Sequence, residues 1–400
     1  MIRSLRTGVA GLKSNQVRMD VVGNNIANVN TVAFKRSRVA FGEVLGQQML
    51  GRSENPSVVG LGVLVGSIDQ NWGQGSLETT GVATDLALKG DGFFVVKAGD
   101  RPLLTRAGNF TFNREGELVT TNGFNVQGWA LNPDGTSAAG APGNITLNFD
   151  TQSPAKYSTE ASFAGNVSAD MAVGDKTSMS MQLYDEQGAP HDVVINLEKT
   201  AANTWQYDVA SSETPSPFTG NITGGSLTFN VDGSFDTASD TTLTWDTGYV
   251  DSGADINLDF SGLTQYSGST TGTFRSQDGY AVGSLVGYQI DSKGILQVSY
   301  SNGQELAVSQ LAIGHVNNPQ GLEQQGENFY ATGATSGDLQ LGRAGGDLST
   351  SVVEGALEMS NVDLATEFTD MIIAQRGYQA SARIITTSDE MLQETVQLKR

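Results

Sequence analysis

Groups that trade protons, hold metals or attack carbon are scarce in this chain, and those present are badly spaced for the work. There are two histidines, His191 and His315, and no cysteine. Disulfides and thiolate metal sites are therefore excluded. His191 sits in GAPHDVV, a turn entering a strand, and His315 in AIGHVNNP, at a strand end. Neither has a partner at the helix or loop spacing that makes a metal pair. No G-x-S-x-G occurs, so a nucleophile elbow is missing. GLGVLVG, residues 60–66, spaces its glycines as G-x-G-x-x-x-G and lacks the βαβ surround of a dinucleotide loop. N-P-D-G at 132–135 and D-S-K-G at 291–294 read as hairpin turns, because the series of oxygen ligands in a calcium loop does not continue. A paired-carboxylate cleft acting on polysaccharide is the one catalytic design left open by so many acids. The residue types predict no enzyme, no cofactor and no bound metal.

Charge narrows the partners. Lys+Arg 23 against Asp+Glu 43 gives a net charge of −20, which argues against nucleic acid, whose phosphates reward basic surfaces. No run approaches the ~18 apolar residues of a membrane helix, so membrane insertion is not expected. The N-terminus has positive charges but no h-region and no cleavage site, so any export would proceed without a cleaved signal peptide. The charge is also segregated. Residues 151–280 hold 17 acids and four basic residues, whereas residues 1–40 hold seven basic residues and one acid, Asp20.

The elements that position these groups differ between the ends and the middle. Leu5, Leu12, Met19 and Ile26 recur every seven residues, with Ile2 and Val9 on the adjoining row. Such a heptad row predicts a helix packed lengthwise against another. Leu357, Leu364, Met371, Tyr378, Ile385 and Leu392 repeat the pattern at the C-terminus, with Phe368, Ala382 and Val396 on a second row. From 361 to 398 there is no proline and one glycine, Gly377, which predicts a long helix. Ile373, Ala374, Ile384 and Leu398 lie off the stripe, and a helix apolar on several sides wants several neighbours. Glycine- and Asx-punctuated β-rich runs fill the space between, and in the meander of 85–131 the inward positions are expected to be Phe93, Val95, Phe110, Phe112, Leu118, Val126 and Trp129.

The resulting fold class is multi-domain α+β. Terminal helices pair as a coiled-coil-like inner core, and mainly-β domains nest out and back between them. The expected divisions are an N-terminal axial helix at 1–27, an extended connector at 28–70 and half of an inner β domain at 71–150. An inserted acidic β domain at 151–284, the second half at 285–360 and a C-terminal axial helix at 361–400 complete the chain. Where the first helix ends, NNIANVNTVAFKR packs Asn24, Asn25, Asn28 and Asn30 into seven residues. Gly23 and Asn24 can adopt left-handed backbone that stops a helix, and Asn28, Asn30 and Thr31 can satisfy their own backbone. Phe34 and Val39 then supply apolar anchors against neighbours. The segment, with Lys35 in it, reads as an ordered joint between helix and connector.

That stretch resembles the signature of the bacterial flagellar rod/hook axial protein family. GDGFFVV at 90–96 and TRAGNFTFNREGELVTTNGFNVQGW at 105–129 are similar to the β domain those proteins share, and SNVDLATEFTDMIIAQRGYQASARIITTSDEMLQE is similar to their C-terminal axial helix. The resemblance is strong over 1–150 and 285–400, while 151–284 matches in composition and placement only. Rod members are shorter, so the insertion favours the hook type, with a distal rod protein or, more remotely, a secreted β-rich adhesin as alternatives. The resemblance implies a homopolymer: a curved, flexible tube that serves as a universal joint between motor and filament. It also implies the hook cap protein, the distal rod protein, the hook–filament junction protein and the flagellar type III export apparatus as partners, with an extracellular place in the flagellum. Leu5, Val9, Leu12, Met19, Ile26, Leu364, Phe368, Met371, Tyr378, Ile385, Leu392 and Val396 would then pack subunit against subunit, with the free ends disordered until assembly.

Overall fold

A computed structural model describes residues 2–44, 47–49, 57–60, 62–132, 136, 140–211, 213–251, 253–346 and 349–397. Parts of the connector, residues 133–135 of the turn at 132–135 and Leu398 lie outside the described residues, as does the side chain of Ile2. The chain divides into two compact units. Unit 1 comprises 1–148, 288–297 and 306–400, and unit 2 comprises 149–287 and 298–305.

In unit 1 the helices are α1, Ile2–Ala27, and α2, Leu364–Gln397. Asp363 caps α2: its Oδ1 accepts the amides of Ala365 (2.8 Å) and Thr366 (3.2 Å), which have no partner inside the helix. Leu357 belongs instead to the strand Ala356–Glu358. α1 runs through Gly23 and Asn24 without a left-handed residue, and the positive φ falls later, at Ala33 (58°). The left-handed stop expected at Gly23 and Asn24 is therefore corrected. The helix ends four residues on, where Asn28 folds its side-chain amide back onto the carbonyl of Asn24 (2.9 Å) and Thr31 donates to Asn28 Oδ1 (3.0 Å). The connector is more than extended chain. Ser37–Glu43 and Val63–Gln70 form an antiparallel hairpin with a bulge at Ala40/Phe41. The hairpin lies close to α1: a Cβ on Gly62 (φ +107°) would stand 3.3 Å from Ala10.

The sheet of unit 1 places Glu305–His315 beside Asn125–Ala130, then Phe93–Ala98, Arg101–Thr105 and Phe329–Ala331. Phe93, Val95, Phe110, Leu118, Val126 and Trp129 are buried, and Phe112 is half-buried. The alternation expected of FFVV fails because Phe94 and Val96 are buried as well, so this strand is covered on both faces.

Unit 2 has a five-stranded antiparallel meander from Lys176–Tyr184 to Phe235–Ala238, and a four-stranded sheet in which Glu160–Asn166 pairs in parallel with Asp255–Thr264. Strict alternation along Pro190–Ala201 sends Val193, Ile195 and Leu197 into a core with Trp205, Tyr207, Trp245 and Phe260. His191 is buried between Asp185 (Nε2 to Oδ2, 3.2 Å) and Glu213 (Nδ1 to Oε2, 2.7 Å), against Trp245 and Tyr249. Asp278 staples one edge, accepting from Thr159 Oγ1 and N (2.7 Å each), Glu160 N (3.0 Å) and Lys156 Nζ (2.9 Å). Burial alone would raise this carboxyl, but those donors outweigh it and hold it well below the ordinary carboxylate range. Its stabilisation is complete above the unfolded value, about 4, and is lost as pH falls through the lower folded value. Asp278→Asn should therefore cost about 1–2 kcal/mol at pH 7 and progressively less in strong acid. Urea midpoints at several pH values check it; an equal cost in strong acid would contradict the assignment.

Candidate functional site

The chain ends meet in two ways, along the helices and at the joint beneath them. Along the helices, the contact pairs run Ser4 with Ser388, Gly8 with Ile385, Gly11 with Ser381, Asn15 with Gly377 and Arg18 with Asp370. The order is antiparallel and the seam is made of small residues. A Cβ on Gly11 would lie 2.9 Å from Ser381 Oγ, and one on Gly377 would lie 2.7 Å from Asn15 Oδ1. Ser14, Ala374 and Ser388 are buried there. Small side chains let the two axes come close, since interaxial distance follows the residues at the contact.

The heptad rows flank this seam rather than fill it. Leu5, Leu12, Met19, Ile26, Met371, Tyr378, Ile385 and Leu392 are half-buried, and Val9, Leu364, Phe368 and Val396 are exposed. With Ile372, Ile373, Ile384 and Met391, the exposed members leave an apolar surface on α2 that this chain does not cover. Phe368 is 51% exposed, Ile372 57% and Val396 70%, far from the values of a helix that has found all its neighbours.

At the joint, residues 33–36 run beside 358–361. Ala33 N donates to Glu358 O (2.7 Å) and Arg36 N to Asn361 Oδ1 (2.7 Å). This alignment aims side chains of both strands inward and buries their charges. Lys35 Nζ lies 2.7 Å from Glu358 Oε1, with side-chain exposures of 1% and 0%. It also donates to Gly73 O (3.0 Å), while Gly75 N donates to the same carboxylate oxygen (2.9 Å). The approach of 73–75 requires glycine, since a Cβ at Gly75 would fall 2.0 Å from Met359 O. Arg106, over the Phe93 ring, reaches Glu358 Oε2 at 3.4 Å. Desolvation pulls both Lys35 and Arg106 below their ordinary values, opposed by Glu358; for Lys35, Arg106 adds to the lowering.

A second cluster abuts the first. Glu367, fully buried, faces Arg36 Nε (2.5 Å) and accepts from Asn25 Nδ2 (3.0 Å). Asn25 also brackets Ser37, donating to its carbonyl (2.9 Å) and accepting its amide (3.0 Å). Asp370 takes Arg18 (2.8 Å) and Arg36 (3.2 Å). Of the asparagines, Asn25 is the buried bracket, Asn24 and Asn30 are exposed, and Asn28 and Thr31 close the turn. Phe34, expected as an apolar anchor, is buried within this chain (8% exposed). Val39 is half-buried.

The sequence reading located Lys35 and the asparagines but missed Glu358, Glu367, Asp370, Arg36, Arg18 and Arg106. The available signal was the basic excess of residues 1–40, which finds its acids at the start of α2. Chemically, the arrangement is a clamp of paired charges that ties the two chain ends together. No group of three His, Asp or Glu that could hold a metal exists among the described residues. A cavity of about 380 Å³ beside the joint, lined by Thr31, Asn109, Thr121, Asn122 and Asn328, offers Glu327 as its one titratable group.

Comparison with known proteins fits this layout. Four family models match in chain order: "Flagella basal body rod protein" over 5–35, "Flagellar hook protein FlgE/F/G D1 domain" over 87–169, "Flagellar basal body protein FlaE D2 domain" over 166–280 and "Flagellar basal body rod FlgEFG protein C-terminal" over 353–398. The flagellar hook protein FlgE of Treponema pallidum is 36% identical over 463 aligned positions, covering all of both chains. That of Borreliella burgdorferi is 35% identical with the same coverage, and that of Salmonella typhimurium is 33% identical over 99% of this chain and 100% of its own. A crystal structure of Helicobacter pylori flagellar hook protein FlgE2 superposes with a TM-score of 0.53 at 14% identity, covering 70% of this chain and 100% of that one, which supports the fold. Full-length relatives and a tiling of family models lead to one assignment: the chain belongs to the flagellar hook protein family.

Proposed function

We propose that the chain is the building block of a flagellar hook, polymerising with copies of itself into a curved, flexible tube that passes motor torque to the filament. The observation that carries this is the uncovered apolar surface of α2 beside a seam already closed by small residues. A helix pair that has satisfied itself through glycine and serine keeps its large side chains for other subunits. Leu364, Phe368, Val396 and Val9 are the direct subunit contacts in this reading, with the half-buried heptad residues at their margins. The acidic surface of the inserted unit faces solvent, and its small polar contacts are wet and replaceable, which lets subunits slide as the tube bends. The role is structural and not catalytic. The hook cap, distal rod and hook–filament junction proteins are the neighbours, and the flagellar type III apparatus exports the chain without a cleaved signal peptide.

The test substitutes the exposed face alone. Phe368→Ser with Ile372→Ser should leave the far-ultraviolet circular dichroism and the unfolding of the free chain unchanged while lowering tube yield in electron micrographs at least about tenfold. This follows from losing roughly 1.5–3 kcal/mol of burial per side chain at each interface. Normal tubes from that variant would remove the basis of the reading.

A further inference from the structure

Of the four tryptophans, three donate their indole N–H within the chain: Trp129 to Gly140 O (3.1 Å), Trp205 to Gln265 Oε1 (3.4 Å) and Trp245 to Ser158 O (2.9 Å). Trp72 Nε1 is buried and finds no acceptor among the described residues. Its ring packs edge-to-face on Phe93 (5.3 Å between centroids) and Tyr330 (4.9 Å), which fixes the direction of that N–H. Arg106 is in the same condition. Its Nη1 faces Glu358 (3.4 Å) and its Nη2 donates to Gly90 O (2.8 Å), but its Nε is buried with no partner. The side chain is 6% exposed, and the guanidinium is held over the Phe93 ring. Both residues line one cavity of about 210 Å³ within unit 1, together with Asp91, Phe93, His315 and Asn317. A buried donor left unmet carries the full desolvation cost of that group, so two of them on one cavity point to an acceptor that fills it. A single bridging water needs only about 10–15 Å³ of such space.

The charge around the cavity decides what kind of acceptor it takes. Asp91 is exposed, on a loop that glycines and a side-chain bond hold in place. Gly90 and Gly92 have φ of +105° and +131°, a Cβ on Gly92 would stand 2.8 Å from Ile313, and Thr350 Oγ1 donates to the Asp91 carbonyl. Desolvation pulls Arg106 below its ordinary value, while the charges of Glu358 and then Asp91 oppose it. A simple anion on the two donors would therefore meet the Asp91 carboxylate, and a simple cation would leave the donors unmet. A zwitterion satisfies both. We propose that the cavity binds a small α-amino acid, with its carboxylate on Trp72 Nε1 and Arg106 Nε and its ammonium turned to Asp91. A carboxylate suits the fixed edge of a guanidinium because the bond is charge-assisted on both sides. Phe93 gives the ligand's carbon atoms an apolar wall. None of these residues belongs to the exposed face of α2, and the tube-forming role proposed above does not require the site.

Calorimetric titration of the free full-length chain with L-alanine, propionate and ethylammonium tests the site, since the last two are L-alanine without its ammonium or its carboxylate. L-Alanine should bind with a dissociation constant of about 1 mM, within reach of so small a ligand, and each fragment at least about tenfold more weakly. In a nitrogen–proton NMR spectrum, the indole resonance that Trp72→Phe deletes should shift downfield as L-alanine is added. Asp91→Asn should weaken L-alanine about tenfold without weakening propionate, whereas Trp72→Phe should weaken both about tenfold. No binding of L-alanine at tens of times its expected dissociation constant would overturn the proposal. So would a Trp72 resonance that stays in place, which would mean that water alone meets the donors. An equal loss of L-alanine and propionate in Asp91→Asn would remove the zwitterion from it. If Trp72→Phe fails to fold, the titrations of the natural chain and of Asp91→Asn, an exposed position, decide by themselves. Tube formation is not read out, so a failure here is separable from a failure of the proposed function.

Discussion

Glu358→Leu should lower the stability of unit 1 by about 3–5 kcal/mol, the cost of leaving buried cations without their carboxylate. The substitution keeps the side chain's approximate volume, so a cavity contributes little. What it removes is the partner of Lys35 at 2.7 Å and of Arg106 at 3.4 Å, together with the acceptor of the Gly75 amide. Two cations share that one carboxylate, so no nearby group takes its place. For a unit of this size, each kcal/mol moves a thermal midpoint by roughly 2–4 °C, so the transition should fall by about 6–20 °C. Calorimetry of the full chain is the measurement. The transition of unit 2, whose core is Trp205, Tyr207, Trp245 and their neighbours, should stay where it is. A midpoint for unit 1 that moves by less than a degree or two would mean the cluster is hydrated in solution and carries no such energy.

Gly377→Leu is the second large effect. A Cβ there already falls 2.7 Å from Asn15 Oδ1, and a whole isobutyl group has nowhere to go except by pushing the helices apart. Overpacking of this kind costs about 1–3 kcal/mol, set against under about 1 kcal/mol regained from glycine's poor helix propensity. Separation also loosens Arg18 from Asp370, about two turns along α2 from Gly377. The expected result is loss of exchange protection along α1 and loss of tubes, with the sheet of unit 1 unaffected. Gly23→Ala is the internal control, because nothing lies within 4 Å of its added methyl and it should stabilise α1 by about 0.5–1 kcal/mol. If Gly377→Leu assembled as well as Gly23→Ala, the small-residue seam would be incidental.

The sequence made the helices and their pairing legible, and the reason is physical. A proline-free stretch with a seven-residue apolar repeat has few other ways to be stable. It misled about what lies between the helices, because periodicity in hydropathy marks the large apolar residues. The approach of Gly8, Gly11 and Gly377 to Ile385, Ser381 and Asn15 leaves no trace in hydropathy. Glu358 and Glu367 were invisible for a different reason. A carboxylate in a sequence reads as surface unless its partner is known, and here the partners lie hundreds of positions away. Asn25 shows the limit most sharply. Composition singled out four asparagines of equal apparent merit, yet one of them brackets Ser37 and Glu367 while two are exposed to water.

The ionic joint also bears on how such chains change over generations. Its members lie outside the span 149–305 that contains unit 2, and they are fixed by backbone pairing of 33–36 with 358–361. Residues can be gained or lost inside that span without altering which cation meets which carboxylate. The Treponema pallidum alignment runs to 463 positions against 400 residues here, so insertions and deletions on that scale are tolerated within the family. Comparative sequencing should then find length variation concentrated in the inserted unit and its loops, with the positions of Lys35 and Glu358 changing together or not at all.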